Sequence, residues 1–112
     1  MPPPISDRGA LEAHILNQEV IRLDTMMKQK IDYIKENVRD EKALHEETRE
    51  AKELLASLAS KIDMLKAVTS RLSSRREQQN VRENAERHHK ELAENQQQLR
   101  AATIHARKTI SK

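Results

Sequence analysis

The sequence predicts an all-α protein, with long helices forming a coiled coil or an elongated helical bundle. Three observations predict it. After Gly9 come 103 residues with neither glycine nor proline, so helix is permitted throughout. Apolar residues recur in steps of three and four over most of that span. Nothing alternates with period two, and β-branched residues never cluster, so strands are not indicated.

The elements follow in chain order. Pro2, Pro3, Pro4 and Gly9 confine the helix breakers to residues 1–9, an expected disordered, Pro-rich N-terminus. Ser6 or Asp7 offers a side-chain oxygen to the free N–H groups of a first turn, which places a helix start near Arg8. Residues 10–38 then form the first coiled-coil segment. Its seam is Leu16, Val20, Leu23, Met27, Ile31, Ile34 and Val38, in steps of 4, 3, 4, 4, 3, 4 with one stutter.

The polar run Arg39-Asp40-Glu41-Lys42 interrupts that seam, and residues 43–72 resume it in a shifted register. Leu44, Thr48, Ala51, Leu55, Leu58, Ile62, Leu65, Thr69 and Leu72 alternate steps of 4 and 3, which keeps one face turned toward a partner helix. Residues 75–112 form a polar, basic-ended helix, with Ser74 and Glu77 at capping-box spacing. The acid-first pairs Glu83–Arg87 and Glu86–Lys90 support it by a few tenths of a kcal/mol each. Its seam of Val81, Ala85, His88, Leu92, Asn95, Leu99, Ala102 and Ala106 holds only three large apolar residues. This third is therefore expected to order only against a partner helix. A hetero-partner is favoured, because a parallel homodimer would set His88 and Asn95 against their own copies.

Two architectures fit. Turns at residues 39–42 and 73–74 would give a compact antiparallel three-helix bundle; without them, one or two long helices would assemble in an oligomer. The second is favoured on sequence, because tight helix–helix turns usually contain Gly, Pro or Asn and only Asn37 lies near either break.

Composition narrows the function. There are 11 Leu, 8 Ile and 4 Val in 112 residues, with Tyr33 as the sole aromatic residue, a thin supply for an isolated core. The absence of cysteine removes thiol chemistry and disulfides. No apolar run reaches membrane-spanning length, and Met1–Pro4 do not resemble a signal peptide, so a cytoplasmic or nuclear location is expected. No Gly-rich loop is present to cradle a phosphate. Glu86-x-x-His89 has the spacing of a bundle metal-ligand pair, but His88 and His89 point about 100° apart on a helix and the segment is polar, so no metal or cofactor is expected. Met26, Met27 and Met64 fall on or beside the seams and are expected to pack. Tyr33, which also flanks the first seam, is expected at an interface edge with its ring packed and its hydroxyl wet.

The expected function is a non-enzymatic structural or adaptor subunit. It would assemble with itself or other helical proteins through Leu16, Val20, Leu23, Met27, Ile31, Ile34, Val38, Leu44, Ala51, Leu55, Leu58, Ile62, Leu65 and Leu72. A chaperone or regulator that masks a partner's apolar helix is a second reading. A third rests on charge. No acid follows Glu94, whereas Arg100, Arg107, Lys108 and Lys112 do, which suits either a helix C-terminus or an anionic polymer or membrane surface. Without aromatic stacking platforms, nucleic acid is the weaker choice among such partners.

Overall fold

The computed structural model describes residues 5–111, with side chains from Arg8 onward. Within them the chain forms three long helices: α1 (Ile5–Asn37), α2 (Glu41–Val68) and α3 (Arg75–Ser111), with a short 3-10 turn, Thr69–Arg71, following α2. α1 begins upstream of the expected start at Arg8, so Ile5–Gly9 belong to the helix rather than to a disordered arm. Met1–Pro4 and the side chains of the expected caps, Ser6 and Asp7, lie outside the described residues.

The chain turns back on itself at both interruptions, so the three-helix bundle replaces the long oligomeric helices favoured on sequence. Capping chemistry explains the first turn without Gly or Pro. The Arg39 guanidinium closes α1 by donating to the carbonyls of Glu36 at 2.7 Å and Val38 at 3.1 Å. Asp40, in extended backbone with φ −140° and ψ 160°, opens α2 by accepting the Ala43 N–H at 2.8 Å. Orphan groups at both helix ends are thereby satisfied within two residues. Asp40→Ala is expected to cost about 1 kcal/mol, seen as a fall of several degrees in the thermal midpoint.

The second turn uses different means. Leu72 adopts extended backbone, and its carbonyl accepts from Gln78 Nε2 at 2.7 Å. Ser74 Oγ receives the Glu77 N–H at 3.4 Å, so the capping-box spacing marks a real helix start. Gly9 is the other half of this corner. A Cβ there would sit 3.1 Å from the Arg71 carbonyl oxygen and 3.4 Å from Leu72 Cδ2. The only glycine is thus no breaker: it lets the turn backbone lie against α1.

Ion pairs and polar contacts define the topology. Glu12–Arg71, Glu19–Lys61 and Lys30–Glu47, at 2.9, 2.8 and 2.6 Å, run in opposite senses along α1 and α2, which are therefore antiparallel. Asn17 meets His88 and Asp24 meets Asn95, so α3 runs parallel to α1. The bundle is 63 Å long and 22 × 16 Å across. Its core is a single row of three clusters. At the end holding the α2–α3 turn, Ala13 and Leu16 meet Leu65, Val68 and Ala85. Val20, Leu23, Leu58, Ile62 and Leu92 fill the middle. At the far end Met27, Ile31, Ile34 and Val38 pack on Leu44, Ala51, Leu99, Ala102 and Ala106.

α3 finds its partner within the chain. Ala85, Leu92, Asn95, Leu99, Ala102 and Ala106 are all buried against α1 and α2. Counting large apolar residues on α3 alone undervalued it. Ala102 and Ala106 let the helices approach closely, while the larger Met27, Ile31 and Ile34 fill the volume from the facing wall.

Candidate functional site

The residues expected at an interface with other proteins lie inside this chain's own bundle. Leu16, Val20, Leu23, Met27, Ile31, Ile34, Val38, Leu44, Ala51, Leu58, Ile62, Leu65 and Leu72 are buried, and Leu55 is half-buried at the α2–α3 edge. In this bundle the seams are consumed by one another.

One polar cluster lies between α1 and α3. Asn95, 2% exposed, donates from Nδ2 to Asp24 Oδ1 at 2.6 Å and accepts from Lys28 Nζ at 3.3 Å. Lys28 also reaches Asp24 and Glu91, at 2.7 and 2.9 Å. Burial alone would lower the Lys28 pKa, but these carboxylates outweigh it and raise the ammonium above its ordinary value. One heptad away, His88 Nε2 lies 2.6 Å from Asn17 Oδ1, an amide oxygen that accepts from the imidazole when Nε2 carries the proton. The second polar set joins α1 to α2. There Glu47 and Glu50, bonded to Lys30 at 2.6 and 2.7 Å, raise its pKa, while Lys30 in turn holds Glu50 below the ordinary carboxylate value.

His88 makes the bundle sensitive to mild acid. Burial lowers its pKa and Arg87 adds to the effect, against opposition from Asp24 and Glu91. The unfolded chain therefore takes up this proton first as pH falls below about 6.5. Stability from His88 is complete above that value and declines on acidification toward the lower folded pKa. The thermal midpoint is expected to fall between about pH 7.5 and 5.5, and His88→Gln, which keeps a donor for Asn17, should flatten the dependence.

The outward face of α1 carries what the sequence reading missed. Leu11, Ile15, Met26 and Tyr33 are 58, 49, 40 and 49% exposed. With Gln18, Arg22 and Gln29 they repeat the steps 4, 3, 4, 4, 3, 4 of the buried seam, displaced by five residues. At 3.6 residues per turn, that displacement turns the stripe about 140° from the core. Arg22 Nη1 lies 3.5 Å from Met26 Sδ, so the guanidinium lies along the stripe. Met26 and Tyr33 are therefore not core-flanking residues but part of a second, uncovered heptad face roughly 33 Å long. The identical spacing was visible in the sequence. The inner seam obscured it, because all seven of its positions are apolar, whereas Gln18, Arg22 and Gln29 interrupt the outer one.

A second surface lies between α2 and α3 toward the C-terminal end. Arg100 and Arg107 line a groove of about 530 Å³ together with Lys52 from α2, over Leu55, Leu99 and Ile104. Lys108 is exposed on the last turn of α3, and Lys112 lies outside the described residues. Lys52 was missed on sequence, being 48 residues from Arg100 in the chain.

Glu86 and His89 are exposed, and among the described residues no three His, Cys, Asp or Glu side chains gather where they could hold a metal ion. No helix among the described residues is long and apolar enough to cross a membrane. Compared with family models, with curated proteins and with solved structures, the chain matches none.

Proposed function

We propose that this protein is a non-enzymatic adaptor that docks a helix of another protein along the outward face of α1. The stripe of Leu11, Ile15, Met26 and Tyr33 carries the reading, because it has helix-pairing periodicity and no covering element among the described residues. Surface area supports it. The chain exposes 7755 Å², against about 6,300 Å² for a compact protein of 13.0 kDa. A thin bundle with one row of core leaves more surface than it can cover alone.

The stripe favours a different partner over a second copy. Arg22 stands at its centre, four residues before Met26 and seven after Ile15. Full overlap with a second copy, parallel or antiparallel, would set Arg22 against Arg22. A partner helix with a carboxylate at that level would pair with the guanidinium instead.

Placing a photo-crosslinking side chain at Gln18 or Gln29, in the cells that make the protein, tests this. Exposed positions Asp63 and Glu83 on the other helices serve as controls. A shared partner is expected at both stripe positions, with a helical segment at the crosslink. Ile15→Asp with Met26→Asp should abolish capture at Gln29 without lowering the thermal midpoint. Capture no stronger than at the controls, or capture that survives the double substitution, overturns the proposal.

A further inference from the structure

The groove between α2 and α3 is independent of the α1 stripe, and its charges set it apart from the boundaries that α1 makes. Across the boundaries that α1 makes with its neighbours, ion pairs join Lys28 to Asp24 and Glu91, Lys30 to Glu47 and Glu50, Lys61 to Glu19, and Arg71 to Glu12. The described ion pairs include none of Lys52, Arg100 and Arg107. No carboxylate lines the groove that they border. α3 cannot supply one there, because no acid follows Glu94. Glu41 and Glu53 border an adjoining hollow that shares Thr48, Lys52 and Arg107, but Glu53 is already paired with Arg49 at 2.9 Å.

Beneath the cations Leu55, Leu99 and Ile104 form an apolar strip, with Thr48, Gln96 and Thr103 beside it. Leu99 is buried, Leu55 half-buried, and Ile104 is 47% exposed. Basic rims over an apolar trough complement a helix with an apolar stripe flanked by carboxylates. A helix laid between two antiparallel helices is also the fourth member of a four-helix bundle. Arg100 and Arg107 stand seven residues apart on one rim, about 10.5 Å along the axis. Two carboxylates a heptad apart on one edge of a partner helix would meet both, and a third on the opposite edge would meet Lys52.

We infer that this groove is a docking site for an acidic amphipathic helix of a partner protein, seated as a fourth helix against Lys52, Arg100 and Arg107. Other anionic partners fit less well. A membrane surface cannot enter a concave trough between helices, and nucleic acid offers a phosphate backbone but no apolar side chains for Leu55, Leu99 and Ile104. A net charge of +3 also gives little long-range attraction for a polyanion.

Titration of the full chain with a fluorescent peptide of about three heptads tests the inference, with Leu at a and d and Glu at e and g. Amide chemical shifts map the site. The comparison ligands are the same peptide with Lys for Glu, a permuted peptide of equal charge without an apolar stripe, duplex DNA, and phosphatidylserine vesicles. The acidic peptide is expected to bind, with shifts confined to residues 48–55 and 96–107. The triple variant Lys52→Gln, Arg100→Gln, Arg107→Gln should weaken it about tenfold or more while keeping its helicity and thermal midpoint. Ile104→Ser should also weaken it with all three cations intact. No binding at about 0.1 mM peptide, equal binding of the permuted peptide, shifts elsewhere, or unchanged affinity in the triple variant overturns the inference. Binding of DNA or vesicles in preference to the peptide replaces it with an anionic-polymer or lipid surface.

Discussion

Leu58→Asp combined with Ile62→Asp is expected to unfold the chain, not to dissociate an assembly. Both side chains are at most 1% exposed and sit in the central cluster with Val20, Leu23 and Leu92. A carboxylate at either position would have no cation to meet among those side chains. Each substitution also removes apolar burial worth about 1.5–3 kcal/mol and adds a desolvation cost of several more. Together they equal or exceed the roughly 5–15 kcal/mol that separates a native domain from its unfolded chain. Circular dichroism should show loss of helix and of the cooperative thermal transition. A variant that keeps the parent's melting curve would show that this seam is not the core. The outward stripe provides the contrast: Ile15→Asp replaces a side chain already 49% exposed and should change stability by no more than about 0.5 kcal/mol.

The same residues show what the sequence could reveal. The periodicity of Leu16 to Val38 and of Leu44 to Leu72 identified the helices and the faces they bury, because burial at steps of three and four follows from helix geometry alone. What covers those faces is a question of chain reversal, which depends on a few local groups. Asp40 and the Arg39 guanidinium make a turn from residues that also read as an ordinary polar helix face. Ser74 was legible as a cap, but its spacing to Glu77 fits the interior of a continuous helix equally well. In sequence Gly9 groups with the N-terminal breakers, because the residues it touches, Arg71 and Leu72, are more than sixty positions away. The candidate sites were legible to different degrees. Arg100 and Arg107 stood out through the lack of acids around them in sequence, whereas Lys52 joins them only after α2 and α3 pair.

Asn95 is expected to govern which register of α1 and α3 the bundle adopts. Asn17–His88 and Asp24–Asn95 share one separation in sequence and lie one heptad apart, so they form two rungs of a polar ladder. Sliding α3 by a heptad in one direction would set Asp24 against Ala102, and in the other would set Asn17 against Val81. Either slip keeps heptad packing but breaks an inter-helix hydrogen bond of the ladder, at about 0.5–1.5 kcal/mol, or more where the acceptor is the Asp24 carboxylate. Asn95→Ala alone should therefore cost about 2 kcal/mol, since Asp24 loses a donor at 2.6 Å. In a double-mutant cycle, Asp24→Ala with Asn95→Ala should cost less than the sum of the single changes by about 1 kcal/mol. Asp24→Leu with Asn95→Leu separates stability from register. Extra apolar burial should leave the melting temperature equal or higher, while the loss of a rung permits more than one α1–α3 alignment. Doubled amide resonances confined to α1 and α3 would report that slippage. A single sharp set of resonances from the double-Leu variant would show that apolar packing alone sets the register.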